Sequence, residues 1–197
     1  MPKIAAASIE EHVRRQTTRI LDAAGEIFAR DGYRGTDLAG IADRTGLARN
    51  SLYRYFPSKD HILLAVMQRD MAPFIERANL LAVEYPDPAA RIDAWLDMQL
   101  ELATGPCHAM IRMLGDLGEA SDDMREQIRD LHLPMRSVLE GCIADLLEGA
   151  DRNPEVIGAM IASMVQSAAG IAMRTGNVQT VGTELKRAVK RILSPGE

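Results

Sequence analysis

The sequence predicts an all-α protein of about nine helices without strands, and three observations support this fold class. The chain has 197 residues, of which 47% are hydrophobic, so it is long and apolar enough to bury a substantial core. Aromatic residues make up only 4% of the chain, and runs of β-branched residues are scarce, which leaves little of the chemistry that strands favour. Residues that cap helices recur along the chain, separated by segments that have the length of a typical helix.

The first predicted elements are an arm and a long helix. Residues 1–11 carry no helical punctuation, so we expect a flexible arm there. A helix from about His12 to Asp31 should follow, because apolar residues recur on one helical face and Gly32 then ends the element. That face consists of Ile20, Ala24, Ile27 and Phe28.

Two short helices come next, separated by a turn at Gly46. Thr36 and Asp37 favour the start of the first one, which should end at the glycine. The second must end before Pro57, because the proline disfavours a helical conformation at the residue that precedes it. Two short helices joined in this way have the dimensions of a helix-turn-helix. The sequence therefore predicts a three-helix DNA-binding domain over residues 12–57.

The remaining residues, 58–197, are predicted to form a second helical domain. Cap residues and prolines mark most helix starts in this part of the chain. Pro73 should kink the first of these helices or end it early. The predicted helices cover 58–83, 88–104, 106–118, 122–148, 154–175 and a last segment around 181–192.

Charge is distributed unevenly between the two parts. Residues 1–60 contain 10 Lys and Arg against 8 Asp and Glu, whereas the rest of the chain contains 13 against 20. The net charge of −5 argues against a protein that coats nucleic acid indiscriminately. Only the N-terminal part is biased toward an anionic partner.

The second helix of the predicted helix-turn-helix carries residue types that contact DNA. Leu52 and Phe56 are four residues apart and should face the core. Arginine bonds guanine edges, asparagine bonds adenine edges, and Ser and Tyr hydroxyls suit phosphate or base contacts. The outward-facing residues are predicted to be Arg49, Asn50, Ser51, Tyr53, Arg54 and Tyr55, and Lys59 adds a phosphate-binding charge at the start of the next helix.

The string GLARNSLYRYFPSKDHILLAV, preceded by Gly32, Thr36 and Ile41-Ala42, resembles the TetR (tetracycline-repressor) family. The family pattern is Gly, Thr, Ile-Ala, Gly, Leu-Tyr-x-Tyr-Phe, then Lys and Leu, and the resemblance covers about Arg14 to Val66. Ala48 departs from it, because family members often have a Ser or Thr cap there. The resemblance implies that Thr36 binds phosphate, that Arg49, Asn50 and Ser51 face bases, and that Tyr53, Tyr55 and Lys59 contact the DNA backbone.

The resemblance also implies that residues 58–197 bind an effector and form a homodimer. The segment Gly158 to Met173 is rich in small residues and Met, and with the last helix it could form a four-helix interface. A core role stays open for each effector candidate, because methionines fill gaps in cores more often than they line pockets. The candidates are Met67, Met71, Phe74, Trp95, Met98, Leu102, Met110, Met113 and Met135.

These observations predict a repressor that leaves a pseudo-palindromic operator when a small, largely apolar ligand binds. No cofactor is expected, and four histidines and two cysteines show no metal-ligand cluster. The motifs HExxH, GxSxG, GxGxxG and the P-loop are all missing, which argues against an enzyme. No apolar stretch is expected to reach the roughly 20 residues of a membrane span, so a cytoplasmic protein is predicted. The alternative is a helical adaptor that binds another protein, whose binding would be far less sensitive to salt.

Overall fold

The computed structural model describes residues 2–105, 122–149 and 151–194, and within them the chain forms eight α-helices and no strand. The prediction of an all-α fold is confirmed. The predicted helix near 106–118, with Met110 and Met113, lies outside the described residues. The helices are α1 (Pro2–Gly35), α2 (Leu38–Thr45), α3 (Arg49–Tyr55), α4 (Lys59–Glu84), α5 (Pro88–Thr104), α6 (Asp122–Leu146), α7 (Pro154–Thr175) and α8 (Val178–Leu193).

Local capping chemistry explains where several helices begin. The side chains of Ser58, Asp87 and Asn153 each accept a hydrogen bond from the backbone N–H three residues later. Each bond satisfies one of the donors that the first turn of a helix leaves unpaired. The starts of α4, α5 and α7 therefore follow from the sequence, as predicted.

One predicted boundary is wrong, and one of the two expectations for Pro73 is not met. Helix α1 begins at Pro2, so the segment expected to be a flexible arm is helical. Its alanines and glutamates are strong helix formers, and extending an existing helix needs no new nucleus. Helix α4 continues through Pro73 to Glu84 and does not end early. Buried residues on both sides of the proline, Met71 and Ala78, anchor the helix across the missing hydrogen bond.

The core consists of two hydrophobic clusters that share α4. The first cluster joins α1, α2, α3 and the start of α4, and it also includes Met124 and Ile128 from the beginning of α6. The second cluster joins the C-terminal half of α4 with α5, α6, α7 and α8. The division falls within α4, between Met67 and Phe74, and not at the predicted boundary after residue 57. Helices α4 and α6 thus belong to both parts of the molecule.

Helix α7 corrects the expectation about membrane spans. It has 22 residues and a mean hydropathy of 1.7, which is long and apolar enough to cross a bilayer by those criteria alone. In the fold, 44% of that apolar window is buried, and Ile157, Ile161 and Val165 belong to the second cluster. The apolar residues of α7 thus pack against α5, α6 and α8.

Candidate nucleic-acid interface and effector region

The turn between α2 and α3 is set by two local features. Asp37 caps α2 by accepting a hydrogen bond of 2.7 Å from the backbone N–H of Gly40. Gly46 ends α2 in the left-handed conformation, with φ 67° and ψ 23°, which a residue with a Cβ adopts only with strain. The reversal at Gly46 directs the chain into α3 as a helix-turn-helix requires.

Helix α3 has one buried and one exposed side, as predicted. Leu52 is fully buried and Phe56 is 9% exposed, so both belong to the first cluster. Tyr53 is 41% exposed. The other residues of the predicted interface are exposed (Arg49, Asn50 and Arg54) or half-buried (Ser51 and Tyr55). Ala48 precedes the helix without a side-chain cap, as the sequence indicated.

The exposed side of α3 is cationic and carries an arginine in contact with a tyrosine. The guanidinium of Arg49 lies 5.9 Å from the ring centroid of Tyr53 and 3.5 Å from its hydroxyl. Neither Arg49 nor Arg54 forms an ion pair with any residue that the structure describes. The sequence places no Asp or Glu between Asp43 and Asp60. These two cations are therefore available to an anionic partner.

The structure gives Thr36 and Lys59 roles other than those implied by the family resemblance. Thr36 is only 2% exposed, and its hydroxyl donates a hydrogen bond of 2.7 Å to the carbonyl of Gly32. The ammonium of Lys59 donates to the main-chain oxygens of Tyr33 and Thr36, at 2.8 and 2.9 Å. The hydroxyl of Thr36 and two of the three donors of Lys59 are therefore engaged within the protein, and phosphate contacts by these residues stay predictions.

Two residues near this turn were not among the predicted site residues. The hydroxyl of Tyr33 donates a hydrogen bond to the carboxylate of Asp60, and its ring stacks on Phe28 with centroids 6.2 Å apart. Burial, and then the bond to Asp60, raise the pKa of Tyr33 far above its usual range. The sequence could have indicated these two residues only by their positions, because Tyr33 directly follows Gly32 and Asp60 directly follows Lys59.

The structure brings together some of the predicted effector residues. Phe74, Trp95, Met98 and Met135 all belong to the second cluster. The indole N–H of Trp95 donates a hydrogen bond of 2.9 Å to the carbonyl of Met135, which joins α5 to α6. Met71 and Leu102 are also buried, whereas Met67 packs in the first cluster, away from this set.

Gln99 is a further polar residue in this region. Its amide nitrogen is buried and has no hydrogen-bond partner in the described part of the chain. Gln99 lies one helical turn after Trp95 and three residues before Leu102, so these three residues share one side of α5. A buried donor left unpaired costs about 1–3 kcal/mol. The sequence did not single out Gln99, because glutamines are common on the outer side of amphipathic helices.

The profile of the family described as bacterial regulatory proteins, tetR family, matches residues 20–66. Residues 20–66 therefore form a domain of this family. The matched segment begins in α1, includes the whole α2–α3 unit and ends in the first half of α4. It coincides with the part of the chain from which the resemblance was inferred.

Two similar proteins are regulators by name. The fatty acid metabolism regulator protein of Bacillus subtilis is 24% identical over 138 residues, which cover 70% of this chain and 71% of that protein. The transcriptional repressor KstR of Mycobacterium tuberculosis is 35% identical over 83 residues, or 42% of this chain and 38% of that protein. The similarity to KstR thus spans less than half of either chain.

Two solved structures share the fold over almost the whole chain. FadR from Bacillus subtilis, in complex with stearoyl-CoA, superimposes with a TM-score of 0.75 at 21% identity, covering 91% of this chain and 98% of that one. The reduced form of Escherichia coli NemR superimposes with a TM-score of 0.73 at 16% identity, covering 92% of this chain and 100% of that one. At these identities the structural similarity establishes the fold alone.

The matched domain and these relatives together indicate the general class of the protein. It is a DNA-binding transcriptional regulator and not an enzyme. TetR-family regulators bind DNA operators as dimers and respond to small-molecule ligands.

Proposed function

We propose that this chain is a cytoplasmic homodimeric repressor that binds a pseudo-palindromic operator through α3 and leaves it when a small, largely apolar effector binds. The exposed side of α3 is the observation that carries the proposal. It presents Arg49, Asn50, Tyr53 and Arg54 outward, while Leu52 on the opposite side is fully buried. Side chains of these types read base edges and bind phosphates in the major groove.

Each interface residue has a proposed role. Arg49, Asn50 and Ser51 contact base edges because they occupy the first turn of α3, the end of a recognition helix that enters the groove. Tyr53 and Tyr55 contact the DNA backbone through their hydroxyls. The ring of Tyr53 also holds the guanidinium of Arg49 in place, which reduces the entropy that Arg49 loses on binding.

A dimer is needed because a seven-residue recognition helix makes too few contacts alone. We infer that α7 and α8 of two subunits form a four-helix interface. Between these helices lies a groove of about 510 Å³, lined mainly by apolar atoms of residues such as Met164, Ala168 and Ile171. Met160 and Ile171 on α7 are 53% and 43% exposed in the single subunit. A partner subunit would remove these side chains from water.

The effector is proposed to combine a long apolar chain with a hydrogen-bond acceptor. Apolar side chains from α4, α5 and α6 converge around Trp95, and the unpaired amide of Gln99 lies one turn further along α5. An acceptor atom on the effector would satisfy that donor. FadR from Bacillus subtilis, which shares this fold, has been solved with stearoyl-CoA, a molecule that has both features. Stearoyl-CoA is therefore the first probe to use.

Release from DNA requires that the effector prefer a conformation that binds operator poorly. Helices α4 and α6 are suited to carry the change, because each contributes residues to both clusters. Since coupling between two sites is reciprocal, operator DNA should weaken effector binding by the same factor by which the effector weakens operator binding.

DNA binding is tested by selecting bound fragments from a genomic library with the purified protein. We expect enrichment of a palindromic sequence, with an affinity that falls steeply as salt is added. Enrichment should be lost in the double variant Arg49→Ala, Tyr53→Ala. The matched control, Arg77→Ala with Tyr85→Ala, removes the same side-chain types from exposed positions in and after α4 and should bind like wild type. A folded dimer that enriches no sequence at low salt would favour the adaptor alternative.

The effector is tested by titrating stearoyl-CoA into the complex of protein and selected operator. We expect release of DNA by wild type and, if Gln99 donates to the effector, at least a tenfold higher half-effective concentration for Gln99→Leu. Operator affinity without effector should be the same for both proteins. Equal sensitivity of the two would remove Gln99 from the effector site, and insensitivity of wild type would exclude this acyl-CoA as the effector.

A further inference from the structure

Lys59, the first residue of α4, is bound to the turn that leads from α1 into α2. Its ammonium donates hydrogen bonds of 2.8 and 2.9 Å to the carbonyls of Tyr33 and Thr36. It also lies 4.0 Å from the ring centroid of Tyr33. The side chain is half-buried, so much of its path to the turn is shielded from water.

The next residue of α4 contacts the same tyrosine from another direction. Asp60 accepts a hydrogen bond from the hydroxyl of Tyr33. Two consecutive residues of α4 therefore hold one aromatic side chain, Lys59 over its ring and Asp60 at its hydroxyl. We call Tyr33, Lys59 and Asp60 the Tyr33 clamp.

The clamp gives a charged donor to two carbonyls in the turn after the break in α1, and the one of Tyr33 also accepts a bond of 3.4 Å from the backbone N–H of Thr36. Gly32 has φ 72° and ψ 173°, so the regular helical hydrogen bonds of α1 are interrupted there. Carbonyls at a helix end lack intrahelical partners and carry partial negative charge, which favours a cation. Lys59 supplies that cation from a position 23 and 26 residues away in the sequence. The contact consequently ties the start of α4 to the entry of α2.

We propose that Lys59 is a positioning residue, which acts through the Tyr33 clamp and not by contacting DNA phosphate. The clamp fixes the α2–α3 unit relative to α4. Because α4 continues into the second cluster, a shift of α4 would move the recognition helix through this contact. The inference rests on the proposed function, since it concerns how the same operator is bound.

Salt dependence distinguishes positioning from phosphate contact. If each Lys59 of a dimer neutralised one phosphate, losing both would reduce the slope of log affinity against log salt by about 1.8. If Lys59 acts by positioning, Lys59→Met should weaken operator binding roughly tenfold or more at every salt concentration, with an unchanged slope. Tyr33→Phe removes the bond to Asp60 without changing any charge and should also weaken binding with an unchanged slope.

The double variant and a matched lysine provide controls. Lys59→Met combined with Tyr33→Phe should weaken binding by less than the product of the two single effects, because both substitutions disrupt one clamp. Lys186→Met removes another half-buried lysine, whose ammonium pairs with Asp97 at 2.6 Å in the second domain. That variant should bind operator like wild type.

A measurement without DNA keeps the inference separate from the proposed function. In the free protein, Lys59→Met should speed amide hydrogen exchange in α2 and α3 while leaving α7 unchanged. Unchanged exchange in α2 and α3 would overturn the clamp even if the wild type bound no operator. The inference is likewise overturned if the Lys59→Met slope falls by about 1.8 while Tyr33→Phe binds like wild type. Should Lys59→Met not fold, Tyr33→Phe alone decides, because wild-type affinity in that variant refutes the clamp.

Discussion

Leu52 and Tyr53 are neighbours on α3, yet their truncation should have opposite consequences. Leu52 is fully buried in the first cluster, whereas Tyr53 is 41% exposed on the proposed DNA-binding side. Leu52→Ala should therefore destabilise the fold. Tyr53→Ala should leave the fold intact and weaken operator binding.

The magnitude for Leu52→Ala follows from its burial. Fully burying a leucine side chain contributes about 1.5–3 kcal/mol relative to leaving it exposed. Truncation also leaves a cavity, and the total loss for buried Leu→Ala is about 2–5 kcal/mol. Tyr53→Ala should change the free energy of unfolding by only about 0.5 kcal/mol, because exposed substitutions are usually tolerated and alanine is the better helix former. The two variants should differ by at least about 1.5 kcal/mol.

Urea unfolding of the DNA-free proteins measures this difference. All proteins must be compared at one protein concentration, since dimerisation makes apparent stability concentration-dependent. Amide hydrogen exchange should show the loss in Leu52→Ala within α1 to α4, the helices that form the first cluster. If Leu52→Ala unfolds within about 0.5 kcal/mol of wild type, or if Tyr53→Ala is the less stable variant, the assignment of the two sides of α3 is refuted.

Three further predictions concern backbone conformation, pH and the second cluster. Gly46→Ala should lower the melting temperature, because a left-handed conformation costs about 1–2 kcal/mol for a residue that has a Cβ. Gly141→Ala, at an open position inside α6, should instead raise stability by about 0.5–1 kcal/mol, because alanine is the better helix former. Because the pKa of Tyr33 is raised in the folded protein, the unfolded state loses this proton first as pH rises. The free energy of unfolding should therefore fall above about pH 10, and it should fall less steeply in Tyr33→Phe. Denaturant titrations at several pH values measure both slopes. Trp95→Phe removes the indole N–H that bonds the carbonyl of Met135 and should destabilise the protein by about 0.5–1.5 kcal/mol. Unfolding is followed by circular dichroism, because the substitution removes the single tryptophan and with it the tryptophan fluorescence signal. A loss below about 0.5 kcal/mol would show that the bond contributes little.

The helix starts and the division of α3 into two sides could be predicted because both depend on nearby residues. A cap such as Asp87 bonds the backbone three residues later, and Leu52 and Phe56 share a side of α3 by helical spacing alone. The proposed DNA contacts on the opposite side follow from the same spacing. They required no knowledge of how distant segments pack.

Three predicted site residues have hydrogen bonds or packing partners in the structure that the sequence pattern did not indicate. Lys59 looked available to phosphate because the carbonyls that it binds lie 23 and 26 residues earlier. Thr36 looked like an exposed cap, but its hydroxyl bonds the carbonyl of Gly32. Met67 looked like part of the effector region, although α4 turns this residue toward the first cluster. Local pattern does not specify which side of a long helix meets which neighbour.

The sequence by itself determined the helical class, the helix-turn-helix and its family, because these depend on periodicity, on caps and on a motif of fixed spacing. Only the tertiary structure decided that α4 and α6 belong to both clusters, that the buried amide of Gln99 has no partner among the described residues and that Tyr33 joins α1 to α4. Those features depend on the angles at which helices pack. Packing angles come from many weak contacts between residues distant in sequence, and no short stretch of the chain encodes them.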